Sequence, residues 1–260
     1  LSTPNSILIN LYPSSYFNTI DMQLPKILST TLGLLSFLFL FTSCSNEEEI
    51  PDVSLIKADF KVRRLEREMQ DLHTKDDVKR YLDENPKLAE QFFHRGSLPD
   101  SVLIDQVYQF VSFEFNDTLL IDVERIFGDF KDVEEDFRQA FQYMQYYYPN
   151  THAPDIYTIA SGFGSFGWGA DLFIGSDFIV IGLDYFAGNT ATYRPTPEMM
   201  PGYMLTRYEK EYIVPMTMTF LSQRFIKNDI LDQTLLADML FYGKSLYFVD
   251  KMMPYSHDTL

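Results

Sequence analysis

The side chains able to do chemistry are few and scattered. The four histidines, His73, His94, His152 and His257, sit in separate segments. A zinc peptidase needs two His one helical turn apart with a Glu between them as base, and the sequence holds no such pair. Each His reads as a surface or capping residue, so neither a His metal site nor a bound cofactor is expected. Gly162-Phe163-Gly164-Ser165-Phe166-Gly167 comes nearest to a phosphate loop, but no Lys follows it and the spacing misses GxGxxG. Turn glycines beside a strand are the plainer reading. Ser161 and Ser165 lack the GxSxG elbow that exposes a serine nucleophile. Carboxylates are abundant, as in Glu134-Glu135-Asp136 and in Glu209 with Glu211. A glycosidase pair is defined by its separation in space, however, and in an acidic chain such runs read as solvated faces. The aromatic residues Tyr146, Tyr147, Tyr148, Phe163, Phe166 and Trp168 are divided between a binding surface and core. The glycine-aromatic loop carrying Phe163, Phe166 and Trp168 is the first candidate for binding, and no catalytic residue is assigned.

One residue has a clearer chemical role. Cys44 is the only cysteine, which excludes a disulfide framework or a cysteine metal cluster. It follows MQLPKILSTTLGLLSFLFLFTS, residues 22–43, in which one cation, Lys26, precedes an apolar run over 27–41 and two small residues, Thr42 and Ser43. That is a signal-peptide layout. A membrane-spanning helix needs about 20 apolar residues; this run is shorter, is diluted by Ser29, Thr30 and Thr31, and is followed by acid rather than cations, so a retained anchor is the weaker reading. Phe41-Thr42-Ser43-Cys44 resembles the bacterial lipobox, in which small residues admit cleavage before a lipid-modified cysteine. A free buried thiol and plain secretory cleavage are the competing readings. Two or more acyl chains on Cys44 would anchor the protein stably, each buried methylene adding about 0.8 kcal/mol.

Composition limits the rest. The chain is 46% hydrophobic, enough for a buried core. Its net charge is −16, and since Asp21 and Lys26 are the only charges before Cys44, the part after cleavage keeps the whole imbalance. Nucleic acid is therefore not expected as a partner. Residues 1–21 read as a non-native extension ahead of Met22, residues 44–52 as a lipidated acidic tether and residues 53–260 as a single domain. Ser45-Asn46-Glu47-Glu48-Glu49 looks like the export tag of surface lipoproteins of Bacteroidetes, the plainer reading being a solvated tether.

The elements that must position these residues follow from periodicity. Alternation predicts a strand over 53–62, and Thr74 with Asp77 forms a capping box opening a helix that ends near Pro86. Asp100 and Asp117 are expected to cap two further helices. Residues 131–148 give an amphipathic helix with Val133, Phe137, Phe141 and Met144 on one side and Pro149 at its end. Residues 156–160 are β-prone, and 172–174 with 178–183 read as a hairpin turning at Gly175-Ser176-Asp177. Two helices follow the proline-rich linker, over about 209–225 and 234–253, the second with Leu235, Leu236, Met239, Leu240, Leu246 and Tyr247 at core spacing. The sum is an α+β domain: a helical layer, a small antiparallel sheet and two packed helices.

From Leu172 onward several ordered segments carry a family resemblance: Leu172-Phe173-Ile174-Gly175, Ile181-Gly182-Leu183-Asp184-Tyr185-Phe186-Ala187-Gly188, Glu211-Tyr212-Ile213-Val214-Pro215 and Leu235-Leu236-Ala237-Asp238-Met239-Leu240-Phe241-Tyr242-Gly243-Lys244. Together with the lipobox and residues 156–163, they resemble the gliding motility lipoprotein GldB family of Bacteroidetes. The resemblance is weak over 53–149. It implies a lipid-anchored cell-envelope protein, placed at the outer membrane on its periplasmic face or at the cell surface. It also implies gliding motility tied to surface-protein secretion, other envelope proteins as partners, and a further C-terminal helical part beyond Leu260. The same segments resemble a zincin-like peptidase layout whose HExxH and third-ligand positions correspond to Pro215, Met216, Thr219 and Tyr242, none able to replace His and Glu on zinc. The resemblance thus implies a peptidase-like scaffold without metal, acting by protein contact. A surface peptide- or glycan-binding module and a non-zinc hydrolase are the alternatives.

Overall fold

The computed structural model describes residues 49–113, 115–165, 167, 171–227 and 234–255. Cys44, the 22–43 segment, Phe166, Trp168 and His257 lie outside the described residues.

The chain is α+β. It opens with β1 (Val62–Arg64), α1 (Leu65–Glu68), α2 (Lys75–Glu84), α3 (Pro86–Gln91), α4 (Asp100–Val111), α5 (Phe115–Phe127) and α6 (Lys131–Tyr147). It continues through β2 (Asp155–Ile159), β3 (Leu172–Ile174), β4 (Phe178–Gly182), α7 (Gly202–Leu205), α8 (Ile213–Ser222) and α9 (Leu235–Met252).

The helix starts divide by local chemistry. Thr74 accepts a hydrogen bond from the amide of Asp77 while the Asp77 carboxylate accepts from the amide of Thr74, so the capping box opens α2 as expected. Thr234 likewise caps α9 through the amide of Ala237. Asp100 and Asp117 are not caps. Asp100 is the first residue of α4, following Pro99, and its carboxylate takes two bonds from Arg95; Asp117 falls inside the first turn of α5. A carboxylate at either place still faces the positive end of the helix dipole.

The sheet has the order β1-β2-β4-β3. The expected hairpin is present, β3 lying antiparallel to β4 with Leu172 opposite Ile181 and Phe173 opposite Val180. The sheet as a whole is mixed rather than antiparallel, because β1, β2 and β4 run parallel, with Val62 opposite Ile156 and Ile156 opposite Ile179. Parallel neighbours require a crossover connection, and the helices α1–α6 supply the one from β1 to β2. Of the expected first strand over 53–62 only Val62 joins the sheet, as the first residue of β1; Val53 and Ala58 pack into the core from irregular backbone. Gly175 makes the hairpin turn possible by close approach, since a Cβ there would meet the Phe178 ring at 2.8 Å and Gln91 at 2.9 Å.

β4 is buried along its whole length. Successive side chains point to opposite faces, and the core divides accordingly. Ile179 and Ile181 face a cluster built with α5, α6, α8 and α9, whereas Phe178 and Val180 face a second cluster built with α1–α4. Helices therefore cover both faces of the sheet, not one as a single helical layer would. A buried pair ties β1 and α1 to β2: Arg64 donates to Glu66, and Thr158 donates through Oγ1 to the other Glu66 oxygen at 2.7 Å. Arg64 also donates to the carbonyl of Gly128 at 2.8 Å.

Among the described residues, no helix is long and apolar enough to cross a membrane.

Candidate functional site

β2 and β4 are parallel neighbours, and β3, on the far side of β4, starts at the end where both of them finish. The chain leaving β2 must therefore arch over the carboxyl end of β4 to reach β3. That arch is the glycine-aromatic loop. Open sheets with parallel strands commonly place ligands at this end, so the geometry of the loop decides whether it is a site.

Asp184, two residues beyond β4, holds the loop from below. Its carboxylate accepts hydrogen bonds from the amide of Ser161 at 2.9 Å, from Ser161 Oγ at 3.1 Å and from the amide of Phe163 at 2.8 Å. Burial pushes the Asp184 carboxyl above its ordinary range, against the amide donors of Ser161 and Phe163, which favour the charged form. Gly162, Phe163 and Gly164 all take positive φ, at 63°, 53° and 73°. Glycine adopts this region without penalty; Phe163 does so at a cost, met here by its bond to Asp184. The loop closes at its far end where the amide of Gly182 donates to the carbonyl of Asp171 at 2.9 Å.

The aromatic side chains complete the anchoring. Phe163 is half-buried and packs edge-on against Tyr185, with ring centroids 5.4 Å apart. Tyr208 is buried, donates to the Asp171 carboxylate and packs on Phe186 at 5.1 Å. Burial, with the Asp184 and Asp171 carboxylates nearby, raises the Tyr185 hydroxyl to about 12. Among the described residues, Ser161 bonds to Asp184 and Tyr208 to Asp171, so these polar groups are directed at one another. Phe163, chosen from the sequence as a binding residue, is placed against Tyr185 with its amide bonded to Asp184.

The positions implied by the peptidase resemblance fall on two packed helices, α8 and α9. Pro215 is buried in the first turn of α8, where a proline is tolerated; Met216 and Thr219 are half-buried, and Thr219 Oγ1 donates to the carbonyl of Pro215 at 2.8 Å. Tyr242 stands exposed on α9. Among the described residues, no group of three His, Cys, Asp or Glu side chains is placed to hold a metal ion. His73, His94 and His152 are exposed and lie on separate segments. Of the carboxylate runs, Glu134 and Glu135 both pair with Arg138, and Glu209 accepts from Asn189.

The surface that sequence reasoning missed is α9 itself. Leu235, Leu236, Met239, Leu240, Leu246 and Tyr247, expected in the core, are each more than half exposed, and so is Tyr242. The buried stripe is Ser245, Phe248, Val249 and Met252. A helix apolar on most of its sides offers periodicity no inner face to select, and this one is seated only by its C-terminal part. Seven large apolar side chains are thus left facing outward on one helix.

The described residues therefore define an α+β domain with a mixed sheet covered by helices on both faces. The family model for the gliding motility protein GldB matches residues 46–260, and the chain belongs to that family. Membership gives it a role in gliding motility and an association with the cell envelope. No curated protein and no solved structure matches the chain.

Proposed function

We propose that this chain acts in the gliding apparatus by protein contact and carries out no catalysis of its own. A lipid on Cys44 holds it to a membrane, which we take to be the outer membrane, and the contacts it makes serve surface-protein secretion as well as movement. The α8–α9 pair is a peptidase-like scaffold in which Pro215, Met216, Thr219 and Tyr242 stand at the ligand positions, leaving no donor set for zinc.

The observation that carries this reading is the exposed apolar residues of α9, Leu236 and Leu240 among them in its first two turns. Water-facing leucines of this number are costly to keep in solution and are stabilised by a partner surface. The test is Leu236→Asp combined with Leu240→Asp in the full chain. Both side chains are exposed, so the protein is expected to accumulate at its normal level with an unchanged thermal midpoint, while cell spreading is lost. Normal spreading by cells carrying this variant would overturn the proposal.

A further inference from the structure

A cavity of about 370 Å³ lies where the end of α8 meets the hairpin turn between β3 and β4 and the turn that follows α6. Pockets for small ligands run from roughly 300 to 1,000 Å³. Much of its lining is apolar. Met144 and Leu221 are buried there, and Phe225 packs against the rings of Tyr148 and Phe248 at 4.4 and 5.2 Å. Two charged side chains, Asp177 and Arg224, line it as well, and only one of them is compensated. Asp177 is paired with Lys87 and accepts from Ser176 Oγ at 2.7 Å. Arg224 donates to the carbonyl of Gly175, and among the described residues no carboxylate forms an ion pair with it. Partial burial lowers the Arg224 guanidinium from its ordinary value, with the charge of Asp177 acting the other way.

We infer that this cavity binds a small apolar ligand through a single carboxylate, which Arg224 holds. A guanidinium presents five N–H donors in a planar fork that fits a carboxylate with two parallel bonds, and Arg224 directs a donor at Gly175 with others remaining. In a chain carrying −16 this surplus of positive charge is local. The apolar walls beside it exclude water and so strengthen its attraction for an anion. Asp177 in the same lining sets the limit: a second negative charge, as on a phosphate, would meet it as repulsion. His152 also lines the cavity and can supply a ring N–H to the carboxylate. Ser176 is engaged already, its amide and hydroxyl bonded to Gln91 and Asp177, so the site is one of binding rather than of nucleophilic attack. A free carboxylic acid and the C-terminus of a peptide share the chemistry recognised here. The site is separate from the exposed side chains of α9 and stands whether or not those meet a partner.

The test is a calorimetric titration of the full chain, held in detergent, with phenylbutyrate. Saturable binding of one ligand per chain is expected. Phenylbutyramide, which keeps the shape and lacks the charge, should bind at least about tenfold more weakly, and Arg224→Gln should weaken phenylbutyrate to a similar degree. The comparison of acid with amide uses the unaltered protein, so it decides the matter even if the variant folds poorly. Acetyl-alanyl-phenylalanine separates the two sources: tighter binding than phenylbutyrate assigns the site to a peptide C-terminus, and weaker binding assigns it to a free acid. No saturable binding of either carboxylate, equal binding of acid and amide, or undiminished binding by a folded Arg224→Gln would each overturn the proposal.

Discussion

The carboxylate of Asp184 receives the amide of Phe163 at 2.8 Å, so the residue just beyond β4 fixes a left-handed turn in the chain leaving β2. Two segments 21 residues apart in sequence are joined in this way where parallel strands end. Replacing Asp184 with Ala would leave the Ser161 and Phe163 amides without their acceptor in a buried place. A buried donor deprived of its partner costs about 1–3 kcal/mol. Asp184→Ala is therefore expected to lower the urea midpoint at an unchanged slope. A midpoint equal to the wild type would show that the loop does not depend on this bond.

The same carboxyl makes stability depend on pH with an unusual sign. Burial raises Asp184 in the folded state above its ordinary value of 3.8. The folded form thus holds the proton more tightly than the unfolded form, and stability falls as pH rises from about 4 through the raised value, then levels. Asp77, Asp83 and Asp100 are held low, by the Thr74 hydroxyl, by Lys79 and by Arg95 respectively. Their contribution is present above the ordinary value and is lost as pH drops through their lowered ones, so it acts in the more acidic window. Denaturant titrations of wild type and Asp184→Asn between pH 4 and 8 are expected to show a falling difference in stability with rising pH. A difference that is flat or rises would contradict the assignment.

What the sequence made legible was local. The capping box at Thr74, the amphipathic helix carrying Phe137 and Phe141, and the hairpin around Gly175 each depend on residues within a few positions of one another. The parallel pairing of Val62 with Ile156 spans a long helical crossover, and no spacing in the chain announces it. The loop site was legible as a place, through its glycines, but not in its purpose, because the Asp184 that holds it is distant in sequence. On α9, Leu235 and Leu246 carry the residue types of a core, and sequence alone does not distinguish apolar side chains that face their own domain from those that face another.

The pair Arg64 and Glu66 was equally invisible, since two neighbouring charges read as a solvated surface. Both side chains are almost wholly inside, and Thr158 of β2 donates to Glu66 at 2.7 Å. Removing one partner of a buried pair leaves an uncompensated charge and costs about 3–5 kcal/mol, a large share of the ~5–15 kcal/mol that holds a domain folded. Glu66→Ala should therefore be strongly destabilised in urea. Glu66→Gln, which keeps an acceptor for Thr158, should lose less. Equal losses in the two variants would show that the missing charge, common to both, governs this position and that the acceptor and the packing do not.

The lipid anchor makes its own prediction. If Cys44 carries the acyl chains, Cys44→Ala removes both the attachment atom and the residue before which the leader is cut. Cells fed a labelled fatty acid should incorporate label into the wild-type chain and none into the variant. The variant should also retain residues 22–43, a mass increase visible on a denaturing gel. One acyl chain gives marginal binding and two or more give stable anchoring, so alkaline carbonate should leave the wild type with the membranes. Label persisting in Cys44→Ala would mean that the chain is acylated elsewhere, and an unlabelled wild type that is nonetheless cleaved would identify 22–43 as an ordinary secretory leader.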